Sequence, residues 1–206
     1  YEFVRPEALD DAQPDRRWIA NAETGVEYAL VVTSNAGLWS YVVGDTVTLV
    51  DRNPPRLLVT GRTSYYLSPF GEHLTGDEIE DAVSTAAKTI GATIADFSVG
   101  AVFPDGEHSR GGHLYIVEFN AAPNTEASAH FLDTIDTILC RRNDDYRAHR
   151  SGGFGLDPPR LLSVKRGTFG GWMKSRGQLG GQHKVPRVIA NAELFQSLRD
   201  FAEKNI

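Results

Sequence analysis

The sequence lacks several features that mark secreted and membrane proteins. It contains one cysteine, Cys140, so no disulfide can form within the chain, and a reducing cytoplasm fits this composition. No apolar run approaches the ~20 residues that a membrane-spanning helix needs. The opening segment, residues 1–6, has neither the basic region nor the apolar region of a secretory signal. It also lacks an initiator methionine, so we expect a fragment or a processed piece of a longer protein.

Positive charge is also scarce. Lys and Arg number 21 against 27 Asp and Glu, which gives a formal net charge of -6. This balance disfavours nucleic acid as a partner, because such binding relies on many cations that neutralise phosphates. It does not exclude a small basic site for a nucleotide. The length of 206 residues suits one sizeable core, or one domain with part of another, at ~100–200 residues per domain.

The first 62 residues are predicted to be β-rich. Apolar and β-branched runs typical of strands occur at 26–32, 38–43, 46–50 and 56–60. Gly44 and Asp45 favour a tight turn between the second and third of these runs.

From residue 63 onward the pattern predicts helix, strand, strand, helix, strand and helix. Helix starts are indicated by a Thr75-x-x-Glu78 capping box and by Asn124 and Asn191. The stretch 167–181 is rich in glycine, and no helix or strand is predicted there. We therefore expect an α+β fold, in which a β-rich tail of a large domain, 1–62, precedes a small domain, 63–206. The small domain is expected to have a mostly antiparallel sheet with helices on one side.

Asp45 is the first candidate for a functional residue. A carboxylate where a strand meets a turn can accept two hydrogen bonds from vicinal hydroxyls, as on a ribose, and Gly44 lets a ligand approach the backbone. The alternative is a turn aspartate that caps its own backbone.

Two further features could carry chemistry. Gly61 and Arg62 join segments of different pattern, as a hinge does, or they are an ordinary linker with a solvated arginine. In residues 177–187, glycines leave N–H groups open and Lys184 offers a charge for phosphate oxygens. The alternative is a flexible loop with a surface lysine. The spacing is not that of a Walker A loop. His108 and His113 have no third ligand at metal spacing, so no metal site is predicted.

In this order, the features resemble the C-terminal half of adenylate-forming enzymes, and in detail the GH3 family of acyl-acid amido synthetases. The resemblance covers essentially the whole chain. The similar segments are Tyr1–Pro6, Tyr41–Asp45, Gly61–Arg62, Gly71 before Asp77–Glu80, Asn143–Arg150, Gly167–Phe169 and Gln182–Arg187.

The resemblance implies a two-step reaction. An acyl acid attacks ATP to give an acyl-adenylate and pyrophosphate, and an amine, usually an amino acid, then displaces AMP to form an amide. Mg²⁺ is the implied metal ion, and its carboxylate ligand is expected upstream of this chain. The implied setting is cytoplasmic, without nucleic acid or membrane.

The resemblance also implies roles for particular residues. Asp45 would hold the ribose hydroxyls, with Tyr41 near the nucleotide and Arg62 at the pivot between domains. Lys184 would approach the phosphates or the acyl carboxylate when the small domain closes. Phe70, Gly71 and Glu72, a loop, would enter the site in a second conformation.

The sequence departs from the family in two respects. Position 42 is Val, where the family often has Arg in its Tyr-Arg-x-Gly-Asp motif. The family's phosphate loop and its Tyr-x-Ser-Ser-Glu segment are absent, and most of the acyl pocket would also lie upstream. We therefore expect this chain to need the missing N-terminal portion for catalysis.

Two other functions stay open at the level of sequence. A thioester-forming ligase shares the first step but passes the acyl group to a thiol such as coenzyme A. Alternatively, residues 63–206 form a non-catalytic α+β module that binds a partner or nucleic acid on its sheet, although the acidic balance counts against nucleic acid.

Overall fold

A computed structural model describes residues 1–9, 11–63, 66–104, 110–151, 155–178 and 184–206. The chain divides into two compact units, Tyr1–Tyr65 and Tyr66–Ile206. In the described ranges, no helix combines the length and the apolar character needed to cross a bilayer.

The first unit is a five-stranded antiparallel sheet in the order β2-β1-β3-β4-β5. A short 3-10 helix, Pro6–Ala8, follows its first strand. Its core contains Phe3, Tyr28, Val47 and Leu49, which are almost completely shielded from solvent. The strands are β1 Glu2–Val4, β2 Arg16–Arg17, β3 Glu27–Val32, β4 Tyr41–Arg52 and β5 Pro55–Arg62.

The turn predicted at Gly44 and Asp45 is wrong, because both residues lie inside the continuous strand β4. The register of β4 against β3 shifts between Ala29 and Val31, which marks a bulge at this point of the strand. Gly44 takes a φ of 88°, which a glycine adopts without steric cost. A bulge bends the strand locally and increases its twist, but the strand then continues.

The second unit consists of a four-stranded sheet, a small hairpin and helices. The hairpin pairs β6 with β7, and the larger sheet has the order β10-β9-β8-β11. In chain order the elements are β6 Tyr66–Leu67, β7 Leu74–Thr75, α1 Gly76–Thr89, β8 Ile94–Val102, β9 Gly112–Phe119, α2 Thr125–Arg142, α3 Asp144–Arg150, β10 Arg160–Val164, α4 Thr168–Ser175, β11 Val188–Ile189 and α5 Ala192–Glu203.

The three predicted helix starts are confirmed. At α1, Thr75 Oγ1 accepts a hydrogen bond from the Glu78 N–H, and the Glu78 side chain accepts one from the Thr75 N–H at 2.9 Å. The side chains of Asn124 and Asn191 accept hydrogen bonds from backbone N–H groups at the starts of α2 and α5. Local polar side chains thus satisfy donors that the helix itself leaves unpaired.

The general prediction of an α+β fold is confirmed, but two details of the small sheet need correction. The central pair β8 and β9 is antiparallel, whereas the outer pairs β9–β10 and β8–β11 are parallel. Helices also cover both faces. Leu114 and Ile116 of β9 pack with α4 and α5, while Phe119 on the opposite face contacts Phe131 of α2 with 5.5 Å between ring centroids. The all-buried strand β9 is explained by this double cover.

The helix α4 was not predicted, and it forms in the first half of the Gly-rich stretch 167–181. The carboxylate of Glu118, on β9, accepts hydrogen bonds from the Gly167 N–H at 2.8 Å and the Phe169 N–H at 3.2 Å. This capping group comes from a distant strand, so no local signal announces it. Trp172 packs in the core on the buried side of the helix. Residues 179–183, like 105–109 with His108, lie outside the described residues.

Candidate functional site

Asp45 sits in the bulge of β4, directly opposite Arg62 at the end of β5. Arg62 Nε lies 3.3 Å from Asp45 Oδ1, and the two side chains are 63% and 30% exposed. The Gly44 carbonyl accepts a hydrogen bond from the Thr63 N–H at 2.9 Å, which ties the bulge to the chain that follows β5. The carboxylate is therefore held by the sheet but still accessible to a ligand.

Beneath this pair, three buried or half-buried polar side chains join the central strands. Glu27 Oε1 accepts hydrogen bonds from Thr46 Oγ1 at 3.0 Å and from Thr60 Oγ1 at 2.6 Å. Each residue belongs to a different strand, β3, β4 or β5, so the cluster fixes the strands beside Asp45. Sequence reasoning missed this cluster, since its members are 14 to 33 positions apart.

Tyr41 begins β4, four residues before Asp45, and is 52% exposed. Its neighbour Val42 is 42% exposed, and Trp39 is 86% exposed. The half-exposed ring of Tyr41 offers a face against which another ring can stack. Tyr41, Asp45 and Arg62, predicted as a nucleotide-binding group, thus occupy one sheet of the first unit.

The loop Phe70–Glu72 lies in the second unit, and its acidic side chain points inward. Glu72 is 0% exposed. Its Oε1 lies 2.7 Å from His113 Nε2, and its Oε2 accepts a hydrogen bond from the Phe70 N–H at 2.8 Å. Gly71 has a φ of 90°, and a Cβ there would lie 3.3 Å from the His149 ring. In this conformation the Glu72 side chain stabilises the loop from its buried side. The predicted entry of Phe70, Gly71 and Glu72 into a site stays a prediction.

The Phe70 ring also fixes the loop. It lies over Gly111, where an added Cβ would collide with the ring at 2.2 Å, and its centroid is 5.5 Å from that of Phe103. The absence of a side chain at 111 makes this close approach possible. The loop is thus anchored at both ends of its three residues.

A polar network continues from His113 into the interior of the second unit. The His113 ring stacks on Tyr146 with centroids 5.9 Å apart, and the Tyr146 hydroxyl donates to Asp136 Oδ1 at 2.7 Å. Arg150 donates to both oxygens of Asp136, at 2.8 and 2.7 Å. Burial opposes the charge of Asp136, but these hydrogen bonds outweigh it and hold the pKa of the carboxyl below its ordinary value. The sequence motif around Asn143–Arg150 therefore has a structural role.

Lys184 is exposed on the segment that leads into β11. The following residues are fixed to β8: the Pro186 carbonyl accepts a hydrogen bond from Ser98 Oγ at 2.7 Å. The Arg187 carbonyl accepts one from the Val99 N–H at 2.8 Å. The five sequence-predicted residues that bear charge or contact nucleotide thus divide between the units: Tyr41, Asp45 and Arg62 in the first, and Glu72 and Lys184 in the second.

Replacing Glu72 should destabilise the second unit. In Glu72→Gln the buried side chain loses its negative charge, so its contacts to His113 and to the Phe70 N–H are no longer charge-assisted. We expect a loss of about 2 kcal/mol in the free energy of unfolding. Urea unfolding followed by helical circular dichroism measures this, since the described α-helices all lie in this unit. Glu80→Gln, at an exposed position of α1, is the control. Its free energy of unfolding should change by less than about 0.5 kcal/mol. Equal stability of the two variants would contradict the buried pair.

Asp136 should make stability depend on pH. Because its folded-state pKa is lowered, its contribution is fully present above the ordinary aspartate pKa of about 3.9 and is lost as the pH falls below that value. The wild-type chain should therefore lose more stability on acidification than Asp136→Asn does. The free energy of unfolding, measured at stepwise lower pH, tests this. Asp133→Asn, at an exposed position of α2, is the control. Parallel curves for Asp136→Asn and the wild type would refute the assignment.

Comparison with known families covers both units. The profile of the GH3 family central domain matches residues 1–62, and that of the GH3 family C-terminal domain matches residues 77–193. The chain therefore belongs to the GH3 family.

Individual relatives agree with this assignment. Indole-3-acetic acid-amido synthetase GH3.3 of Arabidopsis thaliana is 27% identical over 96% of this chain and 34% of its own length. The 4-substituted benzoates-glutamate ligase GH3.12 of Arabidopsis thaliana is 25% identical over 96% of this chain and 36% of its own length. The chain thus spans about a third of the length of the curated relatives it matches.

A solved structure shows the same fold. The GH3.15 acyl acid amido synthetase matches with a TM-score of 0.74 and 24% identity, over 99% of this chain and 36% of the other. The fold of both units is therefore a known one.

Proposed function

We propose that the complete gene product is an ATP-dependent ligase that adenylates a carboxylic acid and joins it to an amino acid or another amine. This chain supplies its C-terminal portion. One observation carries the proposal: the two GH3 domain profiles match in order, one across Asp45 and the other across Lys184. The relatives are named as amido synthetases of indole-3-acetic acid and as a benzoate-glutamate ligase, which gives the reaction class.

The chemistry needs an activated acid. A carboxylate oxygen attacks the α-phosphorus of ATP, and the bond to pyrophosphate breaks to leave an acyl-adenylate. The amine nitrogen then attacks the acyl carbon and loses a proton, while AMP leaves with the electrons of the carbon–oxygen bond. Activation is necessary because oxide is a poor leaving group, whereas AMP is a good one.

The first unit is proposed to hold the nucleotide. Asp45 accepts hydrogen bonds from the two ribose hydroxyls, and its 30% exposure beside a bulge supports this role. Tyr41 lies near the nucleotide through its half-exposed ring. Arg62, paired with Asp45 in this conformation, orients the carboxylate and marks the pivot between the units.

The second unit is proposed to supply the charge that the first step needs. Negative charge grows at phosphorus as the acid attacks, so a cation placed there stabilises the transition state. Lys184 is exposed and brings its ammonium to the phosphates or the acyl carboxylate when the units close. Phe70, Gly71 and Glu72 enter the site in the second conformation, which requires the buried Glu72 pair to open.

Mg²⁺ is the expected companion of ATP in this reaction. Among the described residues, no group of three His, Cys, Asp or Glu side chains could hold a metal ion. As the family resemblance implies, we propose that its carboxylate ligand lies in the portion of the gene product outside this chain. The cytoplasm, where ATP is abundant, is the proposed compartment.

The missing portion of the gene product is also the proposed partner for an apolar surface on β5. Leu57, Leu58 and Val59 are 38%, 57% and 64% exposed. Successive side chains of a strand point to opposite faces, so both faces of this edge strand present apolar groups. Such a strand is an aggregation hazard unless another part of the protein covers it.

Exchange of labelled pyrophosphate into ATP tests the proposed function. The complete gene product should catalyse exchange only when a suitable acyl acid is present. Amine or thiol acceptors are then supplied to the acyl-adenylate, and an amide product distinguishes this enzyme from a thioester-forming ligase. Failure to exchange across a broad panel of acids would favour a non-catalytic binding module.

A further inference from the structure

Arg187 makes contacts that its neighbours in the Lys184 segment do not make. Its guanidinium forms an ion pair with Asp96 and donates from Nη1 to the Phe97 carbonyl at 3.3 Å. The same group stacks over the Phe97 ring, 4.8 Å from the centroid. These contacts involve two consecutive residues of β8. Arg187 therefore fixes both the position of the segment along β8 and its direction.

The backbone of the segment is held at the same place. Besides the contacts of Pro186 and Arg187 to β8 described above, Val188 pairs with Val99 in parallel register. Ser98, which donates to the Pro186 carbonyl, is 0% exposed. Burial raises the pKa of Asp96, and the charge of Arg187 opposes that effect. Arg187 thus supplies a counter-charge to a carboxylate that is only 26% exposed.

We propose that Arg187 is a positioning residue for Lys184, which stands three residues earlier in the chain. The proposal rests on the function proposed for Lys184. The ion pair with Asp96 and the stacking on Phe97 anchor the segment, so the lysine ammonium samples a small volume instead of a wide arc. Long flexible side chains lose much conformational entropy when they are ordered, and an anchored backbone reduces that cost at the moment of reaction.

The test compares the two half-reactions of the complete gene product. Arg187→Gln should lower the rate constant of acid-dependent pyrophosphate exchange by about tenfold to a hundredfold, with the KM for ATP unchanged. Amide formation from supplied acyl-adenylate, which does not use Lys184, should keep its wild-type rate. Arg187→Lys, which retains the charge, should recover part of the loss. Arg141→Gln, at an exposed arginine on α2, is the matched control and should leave both rates unchanged.

Ser98→Ala gives an independent check, because it removes the bond to the Pro186 carbonyl without a change of charge. It should lower the exchange rate selectively in the same way. Equal losses in both half-reactions would mean a structural role and would overturn the proposal. An unchanged exchange rate in Arg187→Gln, with exchange abolished in Lys184→Ala, would overturn it while the proposed function stands. An unchanged rate in Lys184→Ala would overturn the proposed role of the lysine itself.

Discussion

Asp45→Ala should weaken the binding of ATP to the complete gene product by about a hundredfold or more. Two hydrogen bonds from ribose hydroxyls to a carboxylate are each worth about 1.5–3 kcal/mol, and the alanine variant loses both. The Asp45 carboxylate is already paired with Arg62 in the free protein. The two ribose hydrogen bonds therefore contribute less to ATP binding than they would with an unpaired carboxylate, and the expected loss of affinity is smaller by that amount. Isothermal titration with ATP measures the change.

The ribose itself provides a sharper test of the same residue. The wild-type protein should bind 2′-deoxy-ATP and 3′-deoxy-ATP more weakly than ATP, whereas Asp45→Ala should not distinguish them. Asp51→Ala is the matched control, since Asp51 is an exposed carboxylate on the same strand. Its Oδ1 accepts a hydrogen bond from the Asn53 N–H. ATP affinity that survives in Asp45→Ala would remove Asp45 from the site.

Lys184→Ala should reduce the rate of acid-dependent pyrophosphate exchange by about a hundredfold to a thousandfold. The removal of one preorganised charge or donor at a developing negative charge costs a factor of this size. ATP binding should change little, because the lysine acts when the second unit closes and not when nucleotide first binds. Exchange reactions that are quenched at set times, at saturating ATP and acyl acid, measure the rate of pyrophosphate exchange.

The control for this variant is Lys174→Ala, an exposed lysine on α4. Its exchange rate should equal that of the wild type. If Lys184→Ala and Lys174→Ala behave alike, the cation needed for adenylation must come from another residue.

Local signals predicted three of the five described α-helices, α1, α2 and α5, but not the long-range contacts. The capping groups at Thr75, Asn124 and Asn191 lie within three residues of the groups they satisfy, so they are visible in the sequence. The start of α4 depends on Glu118, which is 49 residues from Gly167, and a Gly-rich sequence alone favours a loop. Helix formation there is a tertiary effect.

The candidate site shows the same division. A glycine followed by a carboxylate pointed to Asp45, although the local geometry is a bulge and not the predicted turn. Gly71 entered the prediction only through the family resemblance, and its φ of 90° is a conformation that glycine adopts without steric cost. The pairing of Glu72 with His113, 41 residues away, left no local trace. Sequence reasoning therefore treated His113 as a metal candidate to be rejected and missed its part in the buried network.

The anchoring of Lys184 was equally hidden. The Lys184–Arg187 motif was noticed as a resemblance, but the partner of its arginine, Asp96, is 91 residues distant. The second face of the small sheet is covered by α4, which was not predicted, and by α5, which was predicted but not placed on that face. Contacts of high sequence separation determine these features.

An acyl-phosphate derivative of ATP, which transfers its acyl group to a lysine near the phosphates, tests most directly whether Asp45 and Lys184 serve one nucleotide. In the complete gene product, peptide mapping should find the label on Lys184, excess ATP should prevent labelling, and Asp45→Ala should abolish it at the same probe concentration. Saturable, ATP-protected labelling that never reaches Lys184, or that is indifferent to Asp45, would show that the carboxylate and the ammonium do not meet around a shared ligand.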